Sequence, residues 1–233
     1  MFFYVDFSEG TGRGIAKGLA ACGLARKDLF VTTKIWNYRL DYQSALDACH
    51  SSLEKLGLDY VDLYLIHWPG TASFRDSWKA LETLQKEGAV KSIGVCNFNP
   101  HHFEQLKEFA EKMPVINQIE RHPLLTQDAT AAYCRENNIA LQAWSPLMQG
   151  AMLKAPLILQ MADKYKRSPA QIVLRWDLQT GFLAVAKSKT PERIRSNADF
   201  FDFELEQEDI AAISALNAGR RCGPDLDIFD MNI

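Results

Sequence analysis

Short apolar runs alternate with longer amphipathic stretches along nearly the whole chain, and this alternation restricts the fold more than any other feature. Six strand-like runs are each followed by at least one stretch with helical periodicity. The predicted strands are Leu29–Thr33, Val61–Trp68, Val90–Cys96, Val115–Ile119, Ile139–Trp144 and Phe182–Val185. The predicted helices are Tyr42–Leu56, Phe74–Lys86, Pro100–Glu111, Ala129–Asn137, Leu157–Tyr165, Ala170–Gln179, Glu192–Ala198 and Gln207–Leu216. Apolar strands separated by helices predict a parallel sheet covered by helices.

Two parallel α/β architectures fit this pattern. An open doubly wound sheet is disfavoured as a dinucleotide-binding fold, because no G-x-G-x-x-G follows the first strands. A (β/α)8 TIM barrel typically has about 250 residues. The chain of 233 residues is close to that length, but the six counted units fall short of eight. We therefore expect a single α/β barrel domain over residues 1–233 that lacks about the first strand-helix unit at its amino end.

Composition excludes several classes of protein. Lys and Arg number 26 and Asp and Glu 29, so the net charge of −3 predicts no nucleic-acid partner. The five cysteines form no C-x-x-C and there is no H-E-x-x-H, which predicts no metal site, no disulfide framework and a cytoplasmic location. No apolar run approaches the roughly 20 residues of a membrane span, and no signal peptide is visible. A small-molecule substrate remains as the expected partner, with a monomer as the expected state of the complete chain.

Polar or aromatic side chains stand where the predicted strands end, which is where barrels carry their catalytic groups. Lys34 could be a lysine that extends to solvent, or a desolvated ammonium that lowers a neighbour's pKa and is kept charged by a carboxylate. His67 could be a structural hydrogen-bond donor, or a neutral imidazole that binds a substrate oxygen. The full set at strand ends is Lys34, His67, Asn97, Gln118, Trp144 and Lys187.

The segment 187–197, KSKTPERIRSN, combines a helix start with several cations. Thr190-Pro191 predicts a capping hydroxyl ahead of a proline in the first helical turn. Arg193 stands third in that helix, with Lys187 and Lys189 just upstream. Cations beside the positive end of a helix oppose folding unless an anion joins them. The segment therefore predicts a phosphate site, with a solvated basic loop as the alternative.

The ordered motifs LFVTTKIW, KLGLDYVDLYLIHWP, SIGVCNF, INQIERHPLL, AWSPL and KSKTPERIRSN resemble the aldo-keto reductase superfamily. The resemblance extends from about Gly10 to Pro224 and is greatest to the prokaryotic and protozoan branch, which includes diketogluconate reductases and prostaglandin F synthases. It implies a (β/α)8 barrel that binds extended NADPH without a Rossmann domain. It also implies reduction of aldehydes and ketones by hydride transfer from nicotinamide C4.

In that family a tyrosine protonates the carbonyl oxygen, a lysine lowers the tyrosine pKa, an aspartate pairs with the lysine and a histidine positions the carbonyl. By motif match, Lys34 resembles the lysine and His67 the histidine. Asn97 and Gln118 resemble the residues that hold the nicotinamide carboxamide, and Trp144 the residue that stacks on the ring.

Further residues are implied in binding the rest of NADP(H). Cys96 replaces a usual serine at the carboxamide, which weakens one hydrogen bond, and Ser196 replaces a usual glutamate at the adenine. The remaining implied residues are Ser145 and Leu147 for the pyrophosphate, Lys187, Ser188, Thr190 and Arg193 for the 2′-phosphate and adenine, and Asn197 for the adenine edge.

The amino end, MFFYVDFSEGTGRGIA, departs from the family pattern and admits two alignments. In the preferred one, Asp6 ends a strand and is the partner of Lys34, and the tyrosine segment is deleted. In the other, Tyr4 approximates the tyrosine and the aspartate is missing. Neither keeps all four catalytic groups, so we expect an amino-terminally truncated chain that binds NADPH and reduces carbonyls about 10²–10⁴-fold more slowly.

Two alternatives follow from the same residues. One is a non-catalytic NADPH-binding protein that retains the cofactor groove but lacks the proton donor. The other is a different barrel enzyme that binds phosphorylated sugars through the cations between Lys187 and Arg193.

Overall fold

The computed structural model describes residues 2–4, 11–36, 41–70 and 74–224. In this part of the chain, parallel strands alternate with helices. The strands are β1 (Phe2–Tyr4), β2 (Phe30–Ile35), β3 (Val61–Ile66), β4 (Val90–Cys96), β5 (Ile116–Glu120), β6 (Ala140–Trp144) and β7 (Leu183–Val185). The helices are α1 (Thr11–Ala21), α2 (Tyr42–Leu56), α3 (Arg75–Glu87), α4 (Pro100–Lys107), α5 (Asp128–Glu136), α6 (Pro156–Tyr165), α7 (Pro169–Gln179), α8 (Pro191–Ala198) and α9 (Gln207–Ser214).

The six predicted strands are all present, with ends shifted by at most two residues. The largest helix error is at α4, which ends at Lys107 instead of the predicted Glu111. Glu82 explains this difference, because its buried carboxylate accepts hydrogen bonds from the backbone N–H of Glu111 at 2.8 Å and of Lys112 at 2.9 Å. These bonds take the chain out of helical geometry.

The chain divides into two compact units, residues 1–117 with 226–233, and residues 118–225. In the first unit, β1 to β4 pair in chain order and all in parallel. Gly94 of β4 lies against a neighbouring backbone: a Cβ there would stand 2.7 Å from Ile116 Cγ2 and 2.8 Å from the Ile116 carbonyl oxygen. A side chain at position 94 would therefore clash with Ile116.

The second unit contains the paired strands β6 and β7 and the helices α5 to α9. Its core is formed by apolar residues of α6, α7 and α9, among them the fully buried Ile172, Trp176 and Ile213. Helix α7 begins with the capping box of Ser168 and Gln171. Among the described residues, none of the helices is both long enough and apolar enough to cross a bilayer.

Candidate active site

In the first unit, four of the predicted residues lie at the carboxyl ends of neighbouring strands. Lys34 is the second-last residue of β2, and His67 directly follows β3. Cys96 is the last residue of β4, and Asn97 directly follows it. Lys34 Nζ lies 3.5 Å from His67 Nε2, and the Asn97 side-chain amide donates a 3.0 Å hydrogen bond to the His67 carbonyl oxygen. The structure therefore brings Lys34, His67 and Asn97 together.

Lys34 is only 5% exposed. The alternative of a lysine that extends to solvent is therefore wrong. Its predicted partner Asp6 lies outside the described residues. Tyr4 belongs to β1, and only its backbone is described.

His67 is held neutral by its surroundings. Burial, and then the nearby charge of Lys34, lower the pKa of His67 to about 2. The imidazole can therefore donate a hydrogen bond from one ring nitrogen across the physiological pH range without carrying a charge. The edge of the Trp36 ring packs against it, with the ring centroids 4.8 Å apart.

In the second unit, the predicted nicotinamide contacts lie on β5 and β6. Gln118 is fully buried in β5, and its side-chain amide donates a 2.7 Å hydrogen bond to Gln142 Oε1. Trp144 is the last residue of β6, and Ser145 follows it with a φ of +52°. In the first unit, Asn97 follows β4 in the same left-handed region, with a φ of +63°. Strained backbone of this kind is concentrated at functional sites.

The predicted phosphate-binding segment surrounds the start of α8. Lys187 and Arg193 are exposed, and the Thr190 N–H donates a 3.2 Å hydrogen bond to Ser188 Oγ. Thr190 is the N-cap residue and Pro191 begins the helix, as predicted, but the predicted capping hydrogen bond from the Thr190 side chain is absent. An uncapped helix start beside cations suits a bound phosphate.

Two further predicted cofactor contacts lie elsewhere in the second unit. Leu147 precedes the 3₁₀ helix Met148–Lys154, and Asn197 lies near the end of α8.

A cluster of Glu120, His122 and Cys222 was not predicted from the sequence. Glu120 and His122 are fully buried, and the Glu120 carboxylate lies 3.1 Å from His122 Nε2. It also accepts hydrogen bonds from the backbone N–H of Cys222 at 2.6 Å and of Gly223 at 3.1 Å. The one signal available in the sequence was a glutamate at the end of the strand segment INQIE.

Ligand atoms of these three residues lie within 4.8 Å of one another, close enough to hold a metal ion. The carboxylate is already engaged by two backbone N–H groups, and the Arg221 guanidinium lies 3.8 Å from Glu120 Oε2. Burial and the Glu120 carboxylate raise the pKa of the Cys222 thiol to about 11, which keeps the thiol protonated. The Glu120 carboxylate acts as an anchor for residues 222 and 223.

The Glu120 anchor predicts an acid-sensitive contribution to stability. Burial alone would raise the pKa of Glu120, but hydrogen bonds from His122, Cys222 and Gly223 lower it to about 2. Because the folded pKa lies below the unfolded value of about 4.5, the stabilisation is present above pH 4.5 and is lost as the pH falls towards 2. Glu120→Gln should lower the free energy of unfolding by about 3 kcal/mol at pH 7.

Urea denaturation at pH 7, 4 and 3 checks this expectation. The gap between the wild type and Glu120→Gln should close as the pH falls. Glu136→Gln, at an exposed site in α5, serves as the control. A gap that stays constant over this pH range would contradict the assignment.

Comparison with known proteins shows the family of the chain. The aldo/keto reductase family model matches residues 9–218. The uncharacterized oxidoreductase YtbE of Bacillus subtilis is 52% identical over 221 residues, which cover 95% of this chain and 79% of the relative. The glyoxal reductase of Bacillus subtilis is 50% identical (92% and 78% covered). The methylglyoxal reductase DkgA of Salmonella typhimurium is 46% identical (93% and 79% covered).

Solved structures give the same result. An aldo/keto reductase from Brucella melitensis superposes with a TM-score of 0.88 at 44% identity, covering 93% of this chain and 84% of that one. A Bombyx mori aldo-keto reductase in complex with NADP superposes with a TM-score of 0.87 at 34% identity (94% and 79% covered). The family match and the superposed structures show an NADP-dependent oxidoreductase of the (β/α)8 barrel class. The chain belongs to the aldo/keto reductase family, whose members reduce carbonyl groups.

Proposed function

We propose that this chain reduces 2-oxoaldehydes such as glyoxal to hydroxyaldehydes with NADPH, and that Lys34 and His67 bind the reacting carbonyl. The observation that carries the proposal is the buried Lys34 ammonium, 3.5 Å from the neutral imidazole of His67 at the ends of two neighbouring strands. The substrate class is supported by the names of two relatives, a glyoxal reductase and a methylglyoxal reductase.

The residues present fit the cofactor. The uncapped start of α8, with Lys187 and Arg193 beside it, offers the positive charge and amide donors that a 2′-phosphate requires. We propose the same contacts that the resemblance implies for the other parts of NADPH. They are Cys96, Asn97 and Gln118 for the carboxamide, Trp144 for the ring face, Ser145 and Leu147 for the pyrophosphate, Ser188 and Thr190 for the 2′-phosphate and adenine, and Asn197 for the adenine edge.

Reduction requires a hydride on the carbonyl carbon and a proton on its oxygen. NADPH, when bound, supplies the hydride from nicotinamide C4. His67 donates a hydrogen bond to the carbonyl oxygen, and the Lys34 charge stabilises the negative charge that develops there. Tyr4 and water are the two candidate proton sources. A loss of activity in Tyr4→Phe would assign the proton to Tyr4, and unchanged activity would assign it to water.

The test is the decrease in NADPH absorbance with glyoxal as substrate. We expect turnover with NADPH and at least about tenfold weaker use of NADH, because NADH lacks the 2′-phosphate. Arg193→Ala should raise the KM for NADPH about tenfold, as expected for one lost charged hydrogen bond, and leave the KM for NADH unchanged. Lys17→Ala, at an exposed position of α1, is the control.

The results that overturn the proposal are equally specific. Binding of NADPH without turnover of any aldehyde would support the non-catalytic alternative, which the relatives do not favour because they are named as reductases. No binding of NADPH would contradict the assignment of the α8 segment.

We further propose that residues 1–233 make up one barrel domain, supported by a family match that extends over both compact units. A monomeric cytoplasmic protein without nucleic-acid partners is proposed as well. The net charge of −3 supports the last point, because a polyanion would be repelled.

A further inference from the structure

The segment 218–224, called here the tail segment, is fastened to the second unit by backbone hydrogen bonds. The N–H groups of Ala218 and Arg220 donate to the Leu124 carbonyl oxygen at 3.1 and 3.0 Å. The N–H groups of Cys222 and Gly223 donate to the Glu120 carboxylate at 2.6 and 3.1 Å. The tail segment is therefore held at two places, first by a carbonyl oxygen and then by a buried charge.

The second attachment is the stronger one. Hydrogen bonds from backbone N–H groups to an ionised carboxylate are about twice as strong as those between neutral groups. Glu120 is fully buried, so water does not compete for its oxygens. The backbone at positions 222 and 223 is thus fixed relative to β5.

The backbone of Gly223 lies against the ring of Trp144. A Cβ at position 223 would stand 2.4 Å from Trp144 Cη2 and 3.3 Å from Trp144 Cζ2. Glycine is therefore required here by contact with the ring. The Trp144 ring cannot move towards the tail segment, because the Gly223 backbone occupies that space.

We propose that Glu120 and Gly223 are positioning residues for Trp144: Glu120 holds the tail segment in place, and the Gly223 backbone supports the ring edge so that the ring face is correctly placed for the nicotinamide. This inference rests on the proposed stacking role of Trp144. Neither residue need touch the cofactor. A shift of about 1 Å in a group that orients the reacting ring can reduce the rate about a hundredfold.

The test compares two ligands that share one end. NADPH contains the nicotinamide, and 2′-phospho-ADP-ribose lacks it but keeps the 2′-phosphate. We expect Gly223→Ala to weaken NADPH binding about tenfold, because the new methyl group displaces the ring, and to change the affinity for 2′-phospho-ADP-ribose less than twofold. Isothermal titration calorimetry measures both dissociation constants.

A double-mutant cycle shows whether the effect passes through the ring. Trp144→Phe removes Cη2 and Cζ2, the two ring atoms that the new methyl group would meet; the third neighbour, Glu120 Oε2 at 3.1 Å, stays in place. Gly223→Ala should therefore have less than a twofold effect in the Trp144→Phe background. Independent tenfold losses that multiply in the double variant would overturn the proposal.

Two further variants separate positioning from folding. Glu120→Gln should give the same ligand-selective loss as Gly223→Ala, and it alone decides the proposal if Gly223→Ala does not fold. Gly18→Ala in α1, where an added Cβ has no neighbour within 4 Å, is the matched control. An equal loss of affinity for both ligands in Glu120→Gln would indicate a structural role and overturn the inference.

The wild type tests the stacking role of Trp144 itself. If the wild type binds 2′-phospho-ADP-ribose as tightly as NADPH, that stacking role is overturned, and the inference that rests on it is overturned as well.

Discussion

Lys34→Met should lower kcat for glyoxal reduction by about 10²–10⁴-fold, which corresponds to about 3–5 kcal/mol of transition-state stabilisation. The affinity for NADPH should change by less than about threefold, because the contribution of Lys34 is made in the transition state. Methionine has nearly the same length and volume as lysine and carries no charge, so the variant removes the charge with little change in packing.

The expected size of the loss in kcat follows from the surroundings of the Lys34 side chain. The side chain is 5% exposed, so its charge acts through a medium of lower dielectric constant than water. Its Nζ lies 3.5 Å from the imidazole that we assign to the carbonyl oxygen. A positive charge that is already fixed at this position stabilises the developing alkoxide, and no protein or solvent dipoles have to reorient during the reaction.

A second measurement makes the Lys34 prediction sharper. The Lys34 charge is one of the two causes that lower the pKa of His67 to about 2, burial being the larger. In Lys34→Met the pKa of His67 should therefore rise, as NMR titration would show. Lys17→Met, on the exposed side of α1, should change neither kcat nor that pKa. Activity of Lys34→Met within a few-fold of the wild type would contradict the assigned role.

Arg121→Met should destabilise the protein by about 3–5 kcal/mol, because it leaves the carboxylate of Asp177 buried and unpaired. Arg121 and Asp177 are 4% and 0% exposed and form a hydrogen-bonded ion pair. The guanidinium also donates to Thr180 Oγ1 at 2.9 Å and lies between the rings of Trp176 and Phe182, 3.8 and 3.9 Å from their centroids. Burial raises the pKa of Asp177, and the charge of Arg121 opposes that rise.

Urea denaturation of Arg121→Met checks this expectation. The loss should diminish as the pH falls, because protonation of Asp177 removes the unpaired charge. Arg121→Met/Asp177→Leu should regain much of the lost stability, since two apolar groups replace a buried pair. Lys166→Met, which breaks the exposed pair of Lys166 and Asp163, is the matched control and should leave the denaturation midpoint unchanged. A loss in Arg121→Met no larger than in this control would contradict the prediction.

The elements that the sequence predicted are those with a local cause. The boundaries of α2 were predicted at Tyr42 and Leu56 from helical periodicity. The structure shows a local cause at each end, because the Asp41 side chain caps the start and Gly57 ends the helix in the left-handed conformation. The errors at α4 and Thr190 have a different origin. Glu82, which ends α4, is 29 residues from its hydrogen-bonded partner Glu111, and a capping hydrogen bond depends on a rotamer that residue types do not specify.

The sequence by itself determined the parallel α/β architecture and the residue types at the strand ends, because apolar runs and helical periodicity are local patterns. Tertiary structure alone decided the state of those residues. His67 is neutral because burial and the charge of Lys34 lower its pKa. Lys34 is buried, although lysine side chains usually reach solvent. Glu120 meets the Cys222 N–H across 102 residues of sequence, and Gly223 is needed because of a tryptophan ring. Contacts between distant segments depend on how the elements pack, so local sequence patterns do not predict them.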